Sequence, residues 1–240
     1  MKYGYALKLV VDENIRDEMN QYFSMYDIVE IKVKNKHLDN YIFIKQINEL
    51  IKKYNDRISL HLEADLIENF EQRSIYFDCI LKKIERVDFL VTHIQNNTDV
   101  RVINSICDLL PNNTTILLEN ESGDEQFIEK IKNIKSTIST LHKDKVKICF
   151  DLGHCKKESE MLKTIVSDKN MLKDVVEIHI HSNIPNEHSR LKKNDKLISE
   201  IVGFMNVCEN LRRAIFEIKK IDVLKYEGIE QIKLIDEKYS

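Results

Sequence analysis

Short apolar stretches alternate with longer amphipathic segments along the whole 240-residue chain, and this alternation constrains the fold more than any other feature. The apolar stretches have the length and β-branched content of buried strands. The longer segments, such as residues 40–54, carry apolar residues at helical spacing. Strands that alternate with helices in this way build a parallel sheet covered by crossover helices.

Eight such strands are predicted, and eight strand–helix units match a closed barrel near its minimum size. The predicted strands are residues 3–9, 27–33, 57–62, 88–93, 114–119, 146–151, 175–181 and 213–218, and predicted helices include 40–54, 126–141 and 221–239. We therefore expect an α/β protein, a single-domain (β/α)8 TIM barrel over residues 1–240. A doubly wound open sheet is the alternative, but the first strand is followed by VVDEN and not by a glycine-rich phosphate loop.

Composition excludes few functions. Hydrophobic residues make up 42% and charged residues 32% of the chain, as in soluble globular proteins. The net charge of -3 provides no global positive field for nucleic acid or membranes, although local patches could still steer a nucleic acid. Five cysteines without a CxxC pair favour reduced thiols. Because no signal-peptide pattern occurs and no apolar stretch approaches the about 20 residues of a membrane span, we expect a cytoplasmic protein without a membrane partner.

Most of the predicted strands end at, or just before, a side chain that can bind a metal. In a barrel the C-terminal ends of all strands meet at one rim, so these groups would gather in one place. Imidazoles and carboxylates at one rim predict a site for a divalent metal. The candidate ligands are His61, His93, Glu119, Asp151, His154, His179, His188 and Glu217.

The segment Asp151-Leu152-Gly153-His154 is the most specific local signal. Asp151 ends the buried strand KICFD, and Gly153 permits a tight turn that returns His154 to Asp151. Asp151 could instead cap the next helix, but that alternative does not explain His154.

Two glutamates end strands of the same form, Glu119 after TTILL and Glu217 after AIF. A buried carboxylate without a partner is costly, so each needs a cation, either a metal or a neighbouring lysine. The recurrence of the pattern favours the metal. His179 and His181 lie two residues apart on one strand and therefore point to the same side. We predict His179 as the ligand and His181 as a substrate contact.

The other histidines carry weaker signals. His61 and His93 each end an apolar run, and they are candidate ligands only because the other strands also end in side chains that can bind a metal. His188 lies in a polar loop, where an exposed position is equally compatible with the sequence. His37 and His142 lie outside the pattern, and we expect them at the surface.

Two further positions are predicted to contact substrate. Glu30 could orient it, or simply pair with Lys32 or Lys34. Arg190 and the lysines that follow could hold a phosphate or carboxylate of the substrate, or form a solvated basic loop.

The order of these motifs resembles the xylose isomerase-like TIM-barrel superfamily, which includes sugar isomerases, sugar epimerases and the endonuclease IV enzymes. LLENESGD is similar to the Glu-Asn turn of the endonuclease IV branch, and ICFDLGHC to its Asp-Thr-x-His segment. The resemblance spans nearly the whole chain. It implies a shared metal core made by four residues, namely Glu119, Asp151, His179 and Glu217.

The two branches imply different chemistry. The isomerases and epimerases hold one divalent ion, often manganese, cobalt or magnesium, and their two glutamates, here Glu119 and Glu217, move protons. The endonuclease IV branch holds three zinc ions with additional histidines, and the matching positions are His61, His93, His154 and His188.

The chain departs from the endonuclease pattern at several positions. Asn186 stands where that branch has an aspartate ligand, so we place it among the substrate-binding candidates. Ile94-Gln95 replaces the usual Pro-Gly, and Ile180-His181-Ser182 replaces Leu-Asn-Asp. The residues after His188 lack the usual glycines. These departures count against a third metal and against nuclease activity.

The sequence therefore predicts a metal-dependent isomerase or epimerase acting on a small sugar, sugar phosphate or related polyol. Glu119 and Glu217 would be its general base and acid. The alternative is an endonuclease IV-like phosphodiesterase with two or three zinc ions acting at abasic sites in DNA. A non-catalytic barrel that retains the relics of a site is a third interpretation. The oligomeric state is not predicted.

Overall fold

The computed structural model describes residues 1–7, 15–34, 37, 40–63, 87–94, 98–155, 160–182, 188–192, 196–218, 232–233 and 235–236. Eight parallel strands form a closed barrel in sequential order, and β1 pairs with both β2 and β8. The strands are β1 (Lys2–Leu7), β2 (Ile28–Val33), β3 (Ile58–Leu62), β4 (Phe89–His93), β5 (Thr115–Glu119), β6 (Val146–Asp151), β7 (Val175–Ile180) and β8 (Arg213–Phe216). The prediction of a (β/α)8 TIM barrel is confirmed.

Helices lie between the strands along the described chain. They are α1 (Ile15–Phe23), α2 (Tyr41–Tyr54), α3 (Val100–Leu109), α4 (Phe127–Thr137), α5 (Glu160–Ser167), α6 (Lys169–Asp174) and α7 (Leu197–Val207), with 3-10 turns at Asn55–Arg57 and Thr140–Lys145. The helix predicted at 40–54 is confirmed from Tyr41. Most of the segment predicted at 221–239 lies outside the described residues.

The helix predicted at 126–141 ends earlier, at Thr137. Ile138 leaves the helical conformation, with ψ at 146°, while its N–H still bonds to the carbonyl of Ile134. The Ser139 side chain then accepts the N–H of Leu141 and starts the 3-10 turn. A serine that caps a new turn accounts for the early end, because it competes with continuation of the helix.

The apolar core divides into two layers. The larger layer lies between the barrel and its helices, where residues such as Ile58, Leu60 and Ile178 are buried. The second fills the lower barrel, where a Cβ on Gly4 would lie 2.4 Å from Cδ1 of Ile215. Glycine is thus required at residue 4 by close packing, and the barrel is a filled core.

The upper barrel is filled by polar side chains. His179 of β7 contacts Glu30 of β2 and Glu119 of β5, strands that are not its neighbours in the sheet. Such contacts can form only across the barrel interior. The strand order therefore gathers the polar strand ends at one mouth, as the sequence predicts.

The prediction that His37 and His142 lie at the surface is wrong. His37 is 5% exposed, accepts the N–H of Lys34 at its Nδ1 and stacks on Phe43 with ring centroids 4.2 Å apart. His142 is 9% exposed and donates from Nε2 to Asp108 at 2.8 Å. A polar local sequence does not reveal such partners, because Asp108 lies 34 residues away.

Among the described helices, none has both the length and the apolar character needed to cross a membrane. The described cysteines are free thiols, and Cys107, Cys149 and Cys208 are buried. The fifth cysteine, Cys79, lies outside the described residues.

Candidate metal centre

Glu119, the last residue of β5, is the centre of the first ligand group. Its Oε2 lies 3.2 Å from Nε2 of His61 and 3.6 Å from Nε2 of His93, the latter at the end of β4. Its Oε1 lies 2.7 Å from Nδ1 of His179. One carboxylate thus faces imidazoles from three other strands, and its two oxygens point to different partners.

Glu217, directly after β8, joins the same group from the opposite side. Its Oε1 lies 3.4 Å from Nδ1 of His179 and 3.6 Å from Nδ1 of His61. Its Oε2 lies 3.4 Å from Nδ1 of His188. His188 also donates from Nδ1 to the Glu217 carbonyl at 3.1 Å and has a left-handed backbone, with φ at 56°. That conformation is uncommon for a residue other than glycine.

Asp151, at the end of β6, forms a second ligand group with two histidines. Its Oδ2 lies 3.4 Å from Nδ1 of His154 and 3.3 Å from Nε2 of His181. His154 donates from Nδ1 to the carbonyl of Asn120 at 2.9 Å, and this contact orients its ring. The short return of the chain after β6 therefore has the form expected from the sequence.

Gly153 makes this return possible by its lack of a side chain. Its φ is not positive, and an added Cβ would lie 2.4 Å from Cε1 and Nε2 of His181. The expected reason for this glycine, backbone freedom in a tight turn, is thus replaced by a steric one.

Asn120 fixes the two strand ends against each other. Its side-chain amide donates to the Asp151 carbonyl at 3.0 Å, and its carbonyl oxygen accepts the Asp151 N–H at 2.8 Å. Sequence reasoning noted Asn120 only as a polar neighbour of Glu119. It holds β5 and β6 in a fixed relation, so the ligand groups at their ends are fixed too.

The two ligand groups adjoin through a row of imidazoles. The ring centroids of His93 and His154 lie 6.1 Å apart, those of His154 and His181 5.2 Å, and those of His181 and His188 4.5 Å. Of the four core ligands predicted from the sequence, three meet in the first group, and Asp151 lies in the second. His181, predicted as a substrate contact, lies beside Asp151 as a candidate ligand.

Sequence reasoning missed the role of Lys32. This lysine of β2 is nearly buried, and its Nζ lies 2.5 Å from Oε1 of Glu217. Glu30 is fully buried and accepts a hydrogen bond at 3.0 Å from Nδ1 of His61, and its predicted contact with substrate stays a prediction. Glu30 and Lys32 are two residues apart on one strand. Their spacing was the available signal that both face the interior.

The remaining predicted contacts are Arg190 and Asn186. Arg190 is exposed in the segment that follows His188. Asn186 lies outside the described residues, so its predicted contact with substrate stays a prediction.

The residues present suit a metal ion. The candidate ligand atoms of His61, His93 and Glu119 lie within 4.8 Å of one another, as do those of Asp151, His154 and His181 and those of Glu30, His61, His179 and Glu217. Several are fully buried and have no hydrogen-bond partner among the described residues, an arrangement that is costly unless a cation binds them. These atoms are both oxygens of Glu119, Oδ2 of Asp151, both ring nitrogens of His179 and Nε2 of His181.

Opposite charges dominate the electrostatics of the two groups. Burial alone would raise the pKa of Asp151, but the His154 and His181 imidazoles bring it below its ordinary value. Burial alone would lower the pKa of His181, but Asp151 raises it. The pKa of Glu217 is likewise lowered against the effect of burial, first by Lys32 and then by His179. The carboxylates are thus held ionised and facing positive charge, which is the condition for binding a metal.

The fold and the buried ligand groups define a TIM barrel with a candidate metal centre at the C-terminal mouth. No family model and no curated protein matches the chain. Solved structures match it over nearly its whole length. An uncharacterised protein from Parabacteroides distasonis ATCC 8503 aligns with a TM-score of 0.61 at 12% identity, covering 98% of this chain and 98% of that one.

Dihydropteroate synthase from Stenotrophomonas maltophilia aligns with a TM-score of 0.51 at 6% identity, covering 98% and 92% of the two chains. A protein from Mycobacterium tuberculosis aligns with a TM-score of 0.51 at 8% identity, covering 97% and 89%. At these identities the likeness shows the barrel fold alone. The resemblance to the xylose isomerase-like superfamily stays a prediction.

Proposed function

We propose that the chain is a metal-dependent enzyme that binds at least two divalent ions and hydrolyses a phosphate ester. The observation that supports this proposal is the presence of two adjoining ligand groups, one around Glu119 and one around Asp151. A catalytic zinc takes three protein ligands and keeps a further position open. The histidines and carboxylates at this mouth exceed what one ion can use, so a centre with more than one ion accounts for them best.

The donor chemistry favours zinc. Imidazoles predominate among the candidate ligands, and imidazole suits zinc better than magnesium or calcium. His61, His93 and Glu119 would hold one ion, and Asp151, His154 and His181 a second. Nδ1 of His179, beside Glu119 and Glu217, is a further ligand atom of the first group. Two ions held in this way would supply a nucleophile at neutral pH and neutralise charge on a phosphoryl group.

The chain's own residues supply the remaining functions. Glu119, which faces imidazoles with both oxygens, is suited to link neighbouring ions. His188 and Arg190 are two residues apart in the segment beside Glu217, where they could hold an anionic substrate. Lys32 balances the charge of Glu217.

Metal analysis and an esterase assay together test the proposal. Purified protein should contain two or more zinc ions per chain, and it should hydrolyse bis(p-nitrophenyl) phosphate or cleave a duplex with one abasic site. The Asp151→Asn variant should lose an ion and the activity. A protein that holds a single ion and cleaves neither substrate would contradict the proposal.

An isomerase or epimerase of small sugars or polyols is the second candidate, and one observation favours it. Oε1 of Glu119 and Oε1 of Glu217 lie 2.7 Å and 3.4 Å from the same atom, Nδ1 of His179. Two glutamates around one ligand are suited to flank a single ion and to act as base and acid on a substrate. This function predicts one manganese, cobalt or magnesium ion per chain, and uptake of solvent deuterium into a sugar substrate.

A further inference from the structure

We infer that Glu177 is a positioning residue for His179. Its carboxylate accepts a hydrogen bond from the protonated Nε2, so that Nδ1 is the nitrogen that binds metal. The inference rests on the proposed metal centre. No sequence motif singled out Glu177, because VVEIHI reads as an ordinary buried strand.

The placement of the two residues on β7 is the first step. Glu177 and His179 are two residues apart, so both point into the barrel, and both are fully buried. Oε1 of Glu177 lies 3.4 Å from Nε2 of His179, on the deeper side of the ring. Nδ1 on the other side lies 2.7 Å from Glu119 and 3.4 Å from Glu217. The two nitrogens of one imidazole thus face different surroundings.

Glu30 is the competing partner for the same nitrogen. Its Oε1 also lies 3.4 Å from Nε2 of His179, but it already accepts a hydrogen bond from Nδ1 of His61 at 3.0 Å. Oε2 of Glu30 has no hydrogen-bond partner among the described residues, whereas for Glu177 this holds for both oxygens. Glu30 is thus already engaged with His61 through one oxygen, and Glu177 is the carboxylate with both oxygens available for His179. The distance of 3.4 Å is long for a hydrogen bond, as such contacts often are before a ligand binds.

Arg213 suggests a different role for Glu177, which the experiment must separate. Arg213 of β8 is the register partner of Glu177 and is 3% exposed. Its Nη2 lies 3.4 Å from Asp88, and its Nη1 has no hydrogen-bond partner among the described residues. Glu177 could therefore serve only to balance the charge of Arg213. A carboxylate behind a metal-binding histidine has a further effect, since it fixes the ring and the nitrogen that is free to coordinate.

Two variants distinguish charge balance from positioning. Glu177→Gln keeps an oxygen that can accept the Nε2 proton but removes the charge. The double variant Glu177→Leu/Arg213→Met removes both charges together, which buried pairs often tolerate without loss of stability. Ser59→Ala is the matched control, because Ser59 is a buried residue of β3 whose Oγ has no hydrogen-bond partner among the described residues. Thermal unfolding checks that each variant is folded.

Zinc affinity, measured by competition with a chromogenic chelator, is the first readout. The double variant should bind zinc about 10- to 100-fold more weakly than the wild type, the usual loss when such a partner is removed. Glu177→Gln and Ser59→Ala should stay close to the wild type. If the double variant binds zinc as the wild type does, Glu177 only balances Arg213 and the inference is wrong.

The second readout is the nitrogen of His179 that binds the ion, from long-range ¹H–¹⁵N spectra of the zinc-loaded protein. The wild type should show a protonated Nε2 and a coordinated Nδ1, and the double variant should lose this preference. Coordination through Nε2 in the wild type would overturn the inference. If the wild type binds zinc in this way but cleaves no phosphate ester, the proposed function fails and the inference stands.

Discussion

Replacement of Gly153 by alanine tests the second ligand group with the smallest possible change. The new Cβ would lie 2.4 Å from Cε1 and Nε2 of His181, whereas ordinary contacts begin near 3.4 Å. The ring must therefore move by about 1 Å. Because Nε2 of His181 lies only 3.3 Å from Oδ2 of Asp151, that movement disturbs the placement of two candidate ligand atoms around one ion.

The expected effect on stability is modest, and the effect on metal binding is large. Overpacking a buried site costs about 1–3 kcal/mol. Alanine recovers about 0.4–1 kcal/mol by restricting the unfolded chain. The net loss should thus be near 1 kcal/mol in urea unfolding of the chelated protein. Zinc affinity of the Asp151 group should fall at least about tenfold, because the geometry of a ligand histidine is lost.

Gly203→Ala is the control for this experiment. Gly203 lies in α7, and no atom outside its own helix lies within 4 Å of an added Cβ. Alanine there should stabilise the protein by about 0.5–1 kcal/mol and leave zinc binding unchanged. If Gly153→Ala retains the zinc content and affinity of the wild type, His181 does not belong to the metal centre and the grouping around Asp151 is wrong.

Four further predictions address the charges of the centre. Glu119→Gln should abolish activity, and metal analysis should find one ion fewer per chain. The free energy of unfolding of the chelated protein in urea should change little, because the amide fills the same space. Lys32→Met should destabilise the chelated protein by about 3 kcal/mol, since Glu217 loses its buried counter-charge. In thermal unfolding, excess zinc should restore much of this lost stability. Zinc binding should release protons and should become tighter as the pH rises. The reason is that the raised pKa of His181 keeps this histidine protonated at a pH above the ordinary pKa of an imidazole. Calorimetry in buffers of different ionisation enthalpy measures the proton release. The ionised Asp151 stabilises the folded protein fully at a pH above the ordinary pKa of an aspartate. This contribution is lost as the pH falls through the lowered pKa of Asp151, so the free energy of unfolding of the chelated protein should decrease in acid.

The fold could be predicted because it depends on a pattern repeated along the chain. Each strand was placed within two or three residues of its bounds at the described ends, since apolar runs and barrel strands have the same length. The mouth could be predicted in outline, because parallel strands bring their C-terminal ends together. Glu119, His179 and Glu217 meet as that argument requires.

The remaining features of the site depend on distances between side chains that the sequence does not reveal. The separation of Asp151 from the first group follows from the return of the chain at Gly153 and from the amide of Asn120. Glu177 and Lys32 were not identified, because a charged residue inside a strand usually faces solvent, whereas here alternation along β7 and β2 turns both inward.

Charge inside the barrel explains why so many candidate ligands other than the carboxylates are histidines. Among the described residues, the buried carboxylates of the barrel outnumber the lysine and arginine side chains that face them, which are Lys32 and Arg213. An excess of buried negative charge must be compensated, either by protonated imidazoles or by bound ions. Histidine suits both conditions, since an imidazole can carry a proton or, once deprotonated, bind a metal. Lysine or arginine at His61, His154 and His181 would also balance the negative charge but would not offer the neutral nitrogen ligands of an imidazole. Imidazoles at these positions are therefore the strongest physical argument that the mouth of this barrel is suited to bind a metal.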